Sequence, residues 1–96
     1  MNNFIISKDK LENDNLYKYI RLSNDEIRFT NFMNNHSDLV TEDEKPNVIS
    51  AGLIGLMENT FIFTDYGSIS LGVGWDDVDT EILEKLLSRK EAEKRY

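Results

Sequence analysis

The strongest constraint on the fold is a two-residue alternation over residues 68–75. Its odd positions are large and apolar, whereas its even positions are small. The two sets are Ile69, Leu71, Val73 and Trp75, and Ser68, Ser70, Gly72 and Gly74. Successive side chains of a β-strand lie on opposite faces of a sheet, so this period predicts a strand with one face on the core. Such a chain must build a sheet and cover one side of it.

Five further segments are rich in the β-branched and aromatic residues that favour strands. They are 4–6 (a short first strand or an anchor), 16–22, 26–32, 48–57 and 60–64. Ser23-Asn24-Asp25 is a turn signal and predicts a hairpin between the second and third of these segments. Pro46 predicts that a new element begins near Val48, and a turn at 58–59 predicts a second hairpin.

The C-terminal segment 76–96 predicts a helix. An apolar stripe at helical spacing runs through it, with acidic residues at its start and basic residues at its end, which suits the helix dipole. The stripe consists of Val78, Ile82, Leu83, Leu86 and Leu87. The predicted fold class is therefore α+β: a mostly antiparallel sheet of five or six strands with one C-terminal helix packed on it. We expect the helix to cover the apolar face of the alternating segment.

Length and composition predict a single domain over 1–96, because 96 residues leave no room for two cores. It divides into an N-terminal strand and hairpin (1–37), an acidic loop (38–47), strands (48–75) and the helix (76–96). The chain has no Cys, which excludes disulfides and thiolate metal sites and fits a reducing cytoplasm. We expect no signal peptide and no membrane association, because the apolar runs are too short.

Charge is concentrated in the middle of the chain. The formal net charge is −7, but residues 38–84 hold eleven acids against Lys45, a balance of −10. Such a surface repels polyanions, so we expect no direct nucleic-acid binding. The acids either form a solvated face that keeps the protein soluble or meet a basic partner, for example as a nucleic-acid mimic. The candidate partner-binding residues are Glu42, Asp43, Glu44, Asp76, Asp77 and Asp79.

The sequence offers no coherent catalytic constellation. There is no cysteine nucleophile, His36 is the single histidine, and no serine stands in a Gly-x-Ser-x-Gly elbow. The glycines at 72 and 74 lack the third glycine of a dinucleotide fingerprint. The acids at 77, 79 and 81 have the 1-3-5 spacing of a calcium loop, but Ile82 stands at its glycine position and Ser88 at its twelfth position. We therefore expect a non-enzymatic protein without metal or cofactor.

Small residues suggest a ligand site. Serine hydroxyls and bare glycine backbone let a ligand approach closely and donate hydrogen bonds to it. In this hypothesis two side chains contact phosphates (Arg28 and His36), four line the surface (Ser50, Gly52, Ser68 and Ser70), and Tyr19 or Tyr66 stacks. The alternatives are packing against a second protomer, simple exposure of a small polar face, and, for His36, a hydrogen-bonding role in a loop.

Three runs carry a resemblance: 36–40 (His-Ser-Asp-Leu-Val), 48–52 (Val-Ile-Ser-Ala-Gly) and 67–72 (Gly-Ser-Ile-Ser-Leu-Gly). They resemble a small protein type of phages and prophages, and the acidic, Asn-rich, cysteine-free chain is similar to phage early proteins that blunt host defence. The resemblance implies one of two functions. Either a homo-oligomer sequesters a small nucleotide-type signalling ligand, or an acidic inhibitor caps a basic surface of a host defence protein.

Overall fold

The computed structural model describes residues 4–58, 60–64, 67–68 and 71–86. In this part of the chain four antiparallel strands form one sheet in the order β2-β1-β3-β4. The strands are β1 (Asn15–Leu22), β2 (Ile27–Asn31), β3 (Val48–Met57) and β4 (Thr60–Thr64), and one helix, α1, spans Asp77–Leu86. Three short 3₁₀ helices, Lys8–Lys10, His36–Leu39 and Lys45–Asn47, complete the described elements.

Both predicted hairpins are confirmed. The β1–β2 turn closes through Asp25, whose N–H donates to the Leu22 carbonyl at 2.8 Å and whose φ of 67° is a left-handed value that Asp tolerates. The strands β3 and β4 have the predicted bounds, and the turn between them begins at Glu58, whose φ is 51°.

Apolar side chains cover both faces of the sheet. On one face Leu83 of α1 packs on a cluster from β1, β2 and β3, with Leu86 beside it. On the other face the residues of the second cluster pack with Leu71 and Val73. The first cluster contains Tyr17, Tyr19, Phe29, Ile54, Leu56 and Leu83, and the second contains Ile20, Leu22, Leu39, Val40, Val48 and Ala51.

The prediction of five or six strands is wrong, because the described residues form a sheet of four. The described residues of 68–75 do not extend as a strand: Ser68 and Val73 exchange backbone hydrogen bonds, Gly72 adopts a φ of 69°, and the Ser68 hydroxyl accepts the Leu71 N–H at 3.2 Å, so the chain reverses direction between 68 and 73. This segment retains a single bridge, between Ser68 and Val73. Near the N-terminus likewise, a lone bridge joins Ile6 to Phe29. Positions 69 and 70 lie outside the described residues.

The expected contact between the helix and the alternating segment is also wrong. Leu71 and Val73 pack on the sheet face opposite to that of Leu83. The helix takes the other face because an acidic side chain in its first turn binds an arginine of β1, as described below. The predicted helix over 76–96 is confirmed for Asp77–Leu86, and its remainder lies outside the described residues. No described helix is long and apolar enough to cross a membrane.

Candidate functional site

A buried polar cluster joins α1 to the sheet. Asp79 is fully buried, and its Oδ1 accepts hydrogen bonds from Arg21 Nε and Ser50 Oγ, both at 2.7 Å. Its Oδ2 accepts the Tyr19 hydroxyl at 2.7 Å and the Asp76 N–H at 3.2 Å. Four donors therefore satisfy this carboxylate, as a buried charge requires.

The strand register assembles this cluster. Tyr19 and Arg21 are two residues apart on β1 and so share a face, and β3 places Gly52 opposite Tyr19 and Ser50 opposite Arg21. The Tyr19 ring lies across Gly52, where an added Cβ would come within 2.6 Å of the ring. The glycine therefore provides the space that allows the tyrosine hydroxyl to reach Asp79.

The start of α1 is fixed by the same carboxylate. Asp76 stands before the first helical residue, and its Oδ1 accepts the Val78 N–H at 3.0 Å. Three residues later, the Oδ2 of Asp79 accepts the Asp76 N–H, so the side chains at both ends of the first turn accept backbone N–H groups, as in a capping box. One side chain thus caps the helix and binds it to the sheet.

Electrostatics favour the protonated forms of Arg21 and Tyr19. Burial acts to lower the pKa of Arg21, but hydrogen bonds to Asp79 and Asp25 outweigh it and hold the pKa above its ordinary value. Burial, reinforced by the hydrogen bond to Asp79, raises the pKa of the Tyr19 hydroxyl far above its ordinary value. Both groups therefore remain hydrogen-bond donors to Asp79, which anchors α1 to the sheet.

A second charged cluster lies on the opposite face. Arg28 donates from Nη1 and Nη2 to the two carboxylate oxygens of Glu44, at 2.9 and 2.7 Å, and from Nε to Glu26 at 2.9 Å. Its Nη1 also donates to the Leu39 carbonyl at 2.8 Å. The hydrogen bond from Arg28, helped by the Thr41 N–H, lowers the pKa of Glu44 to about 2. Glu44 in turn raises the pKa of Arg28.

Arg21 and Arg28 each bind two or more carboxylates at one end of the sheet. Arg21 also contacts Asp25, at 2.9 Å, and Asp76, at 3.5 Å, and the Ser23 N–H donates to the Asn47 carbonyl, which brings the 42–47 segment beside the hairpin turn. We call this region the acidic end. It comprises Asp25, Glu26, Glu42, Asp43, Glu44, Asp76 and Asp77.

The acidic end is strongly negative at its surface. Together with buried Asp79 it holds eight carboxylates against Arg21, Arg28 and Lys45, a net charge of −5. The two arginines lie inside, with side chains only 7% and 15% exposed, whereas the Asp25 carboxylate that Arg21 binds is 65% exposed. Apart from buried Asp79, the carboxylates that the two arginines bind are therefore at least partly exposed to solvent, whereas the arginines themselves lie beneath the surface.

The described members of the predicted ligand site are divided between the two faces of the sheet. Tyr19, Ser50 and Gly52 lie under α1, while Arg28 and His36 belong to the opposite side of the sheet. Ser68 is a turn residue. The other two predicted residues, Tyr66 and Ser70, lie outside the described residues.

His36 is a buried loop residue. Its Nε2 lies 3.0 Å from the Gly52 carbonyl oxygen, beyond the end of the pairing between β3 and β4. Burial lowers the pKa of His36, although the hydrogen bond to the carbonyl opposes the shift. The imidazole therefore favours its neutral form.

Of the predicted partner-binding residues, five lie at the acidic end: Glu42, Asp43, Glu44, Asp76 and Asp77. Asp79 does not, because its interaction with Arg21 removes it from the surface, and its assignment to a partner interface is wrong. Sequence reasoning missed the role of Arg21 as the buried partner of Asp79. The available signal was a charged residue on the same strand face as two core tyrosines, since such a charge requires a buried partner.

Comparison with protein-family models, with curated proteins and with solved structures found no match. Within the described residues no group of three or more His, Cys, Asp or Glu side chains is arranged to hold a metal ion. The functional argument therefore depends on the geometry of the acidic end itself.

Proposed function

We propose that the chain is a non-enzymatic inhibitor whose acidic end caps a basic surface of a partner protein. In the phage setting that the sequence resembles, the partner is a host defence protein in the cytoplasm. The observation that carries the proposal is the fixed position of the carboxylates: Arg21 holds Asp25 and Asp76, and Arg28 holds Glu26 and Glu44.

Fixed carboxylates suit this task better than mobile ones. A side chain that is ordered before binding loses less conformational entropy in the complex, so more of the interaction energy contributes to affinity. Rigid spacing of negative groups also favours a partner groove that is built for phosphates. Electrostatic attraction of this kind accelerates association and falls with salt concentration.

Matched charge reversals test the proposal. Asp43→Lys with Asp77→Lys changes two residues of the acidic end that take no part in the ion pairs found in the described chain. Glu12→Lys with Glu58→Lys makes the same change in net charge at the other end of the sheet, where β1 begins and β3 ends. A fluorescent Arg- and Lys-rich peptide, followed by anisotropy, is the basic probe.

We expect the wild type to bind the peptide with an affinity that falls as salt rises. The acidic-end variant should lose at least about tenfold in affinity, whereas the matched control should lose far less. Equal losses in both variants would mean that net charge alone attracts the peptide, and this would refute a dedicated surface.

A second candidate, sequestration of a nucleotide-type ligand, is favoured by an open groove of about 500 Å³ at the other end of the sheet. Its lining combines apolar and amide side chains, which suit the face and edge of a nucleobase. The lining residues are Asp14, Asn15, Leu16, Asn31, Phe32, Met33 and Asn34. Thermal unfolding with a panel of cyclic oligonucleotides and NAD-derived nucleotides tests it. A saturating ligand should raise Tm by several degrees, and by less in Phe32→Ala.

A further inference from the structure

The two edges of the sheet are unlike each other. At the β2 edge the Ile6 N–H donates to the Phe29 carbonyl at 2.8 Å, so the N-terminal segment covers part of that edge. At the β4 edge no strand of the described chain pairs on the outer side. Proteins usually shield such an edge with charge, proline, a bulge or a covering segment, because its free N–H and C=O groups can pair with another strand.

The sequence of β4 contains none of these protective residues. Thr60-Phe61-Ile62-Phe63-Thr64 has no charge, no proline and no glycine, and each residue is a good strand former. It also reads the same in both directions. An antiparallel pair of two copies centred on Ile62 sets Thr60 opposite Thr64, Phe61 opposite Phe63, and Ile62 opposite its own copy.

We propose that β4 pairs antiparallel with β4 of a second copy and joins two four-stranded sheets into one eight-stranded sheet. A two-fold axis through Ile62 makes the interface isologous, and the palindrome gives every position a matching partner across it. Directly opposite residues share a face, so both α1 helices lie on the same side of the joined sheet.

The proposed dimer does not depend on the proposed function, but it is compatible with that function. The acidic ends lie at the β1–β2 turns, away from β4, so the dimer leaves both of them open to partners. Each copy carries a net charge of −7, and the two copies therefore repel each other at long range. We expect dimerisation to strengthen as moderate salt screens this repulsion.

Disulfide cross-linking tests the register directly, because the natural chain has no cysteine. Opposite residues of an antiparallel pair have Cα atoms about 4.5–5.5 Å apart, which lies within the range of disulfides. Under mild oxidation Ile62→Cys should form a covalent dimer rapidly. Val78→Cys, at an exposed position of α1, should form much less covalent dimer under the same conditions. Equal yields from the two variants, or no dimer from Ile62→Cys, would overturn the proposal.

A charge pair tests it without cross-linking. In the proposed register residue 60 of one copy faces residue 64 of the other. Thr60→Lys with Thr64→Lys therefore sets like charges opposite each other twice, whereas Thr60→Glu with Thr64→Lys sets opposite charges there. Sedimentation velocity should show the first variant as a monomer and the second as a dimer at the concentration where the wild type dimerises. Identical association by both folded variants, or a wild type that stays monomeric at every concentration, would contradict the interface.

Discussion

Replacing Asp79 by Ala removes the carboxylate that holds α1 on the sheet. Four hydrogen bonds disappear with it, and the ion-pair partners that Arg21, only 6% exposed, retains within the described part of the chain are Asp25 and Asp76 at the surface. Breaking a buried ion pair by removing one partner costs about 3–5 kcal/mol, because the remaining charge stays desolvated. For a domain of this size that loss corresponds to a fall in Tm of more than about 12 °C.

Urea unfolding followed by far-UV circular dichroism measures this cost. Asp77→Ala is the control, since it changes an exposed residue in the same helical turn, and we expect a cost below about 1 kcal/mol there. The double variant Arg21→Met with Asp79→Leu removes both charges and should be more stable than Asp79→Ala by at least about 1 kcal/mol. Similar unfolding free energies for Asp79→Ala and Asp77→Ala would refute the role of the anchor.

Three further predictions follow from particular contacts. Gly52→Ala places a Cβ 2.6 Å from the tyrosine ring that covers this position, so it should cost about 1–3 kcal/mol in urea unfolding, whereas Gly74→Ala adds a Cβ in open space and should be nearly neutral. Glu44→Gln should make acid unfolding less steep between about pH 4.5 and 2, because the lowered carboxylate pKa stabilises the fold above that window and the stabilisation is lost as pH falls through it. His36→Gln should weaken the loss of stability as pH falls below about 6.5, because the buried imidazole, whose pKa is lowered, must charge on unfolding. Unchanged acid-unfolding profiles would contradict the last two predictions.

Local patterns predicted most of the sheet. The bounds of β3 and β4 follow from Pro46, from the run of β-formers and from the turn after Met57, and all of these are local signals. The alternation over 68–75 predicts a strand because a two-residue period carries no information about a glycine at positive φ or a serine hydroxyl that accepts a backbone N–H. These two features reverse the chain where the alternation predicts a strand.

The buried anchor could be predicted only in part. The acids before and within the first turn of α1 were interpreted as helix-terminal charges, and for Asp76 this is what the structure shows. The burial of Asp79 depends on which sheet face the helix covers, and that choice is decided by a contact between residues 58 positions apart in the chain. No local stretch of sequence contains both partners. The predicted position of the helix and the predicted exposure of Asp79 are therefore wrong for the same reason.

The most direct test of the acidic end is NMR mapping of the peptide-binding surface. Amide chemical shifts are followed while the Arg- and Lys-rich peptide is added to the wild-type protein. The account predicts that the largest changes fall on the β1–β2 turn, on residues 42–44 and on the start of α1, and that added salt reverses them. Changes centred instead on the groove around Phe32, or spread evenly over the surface, would contradict the proposed function.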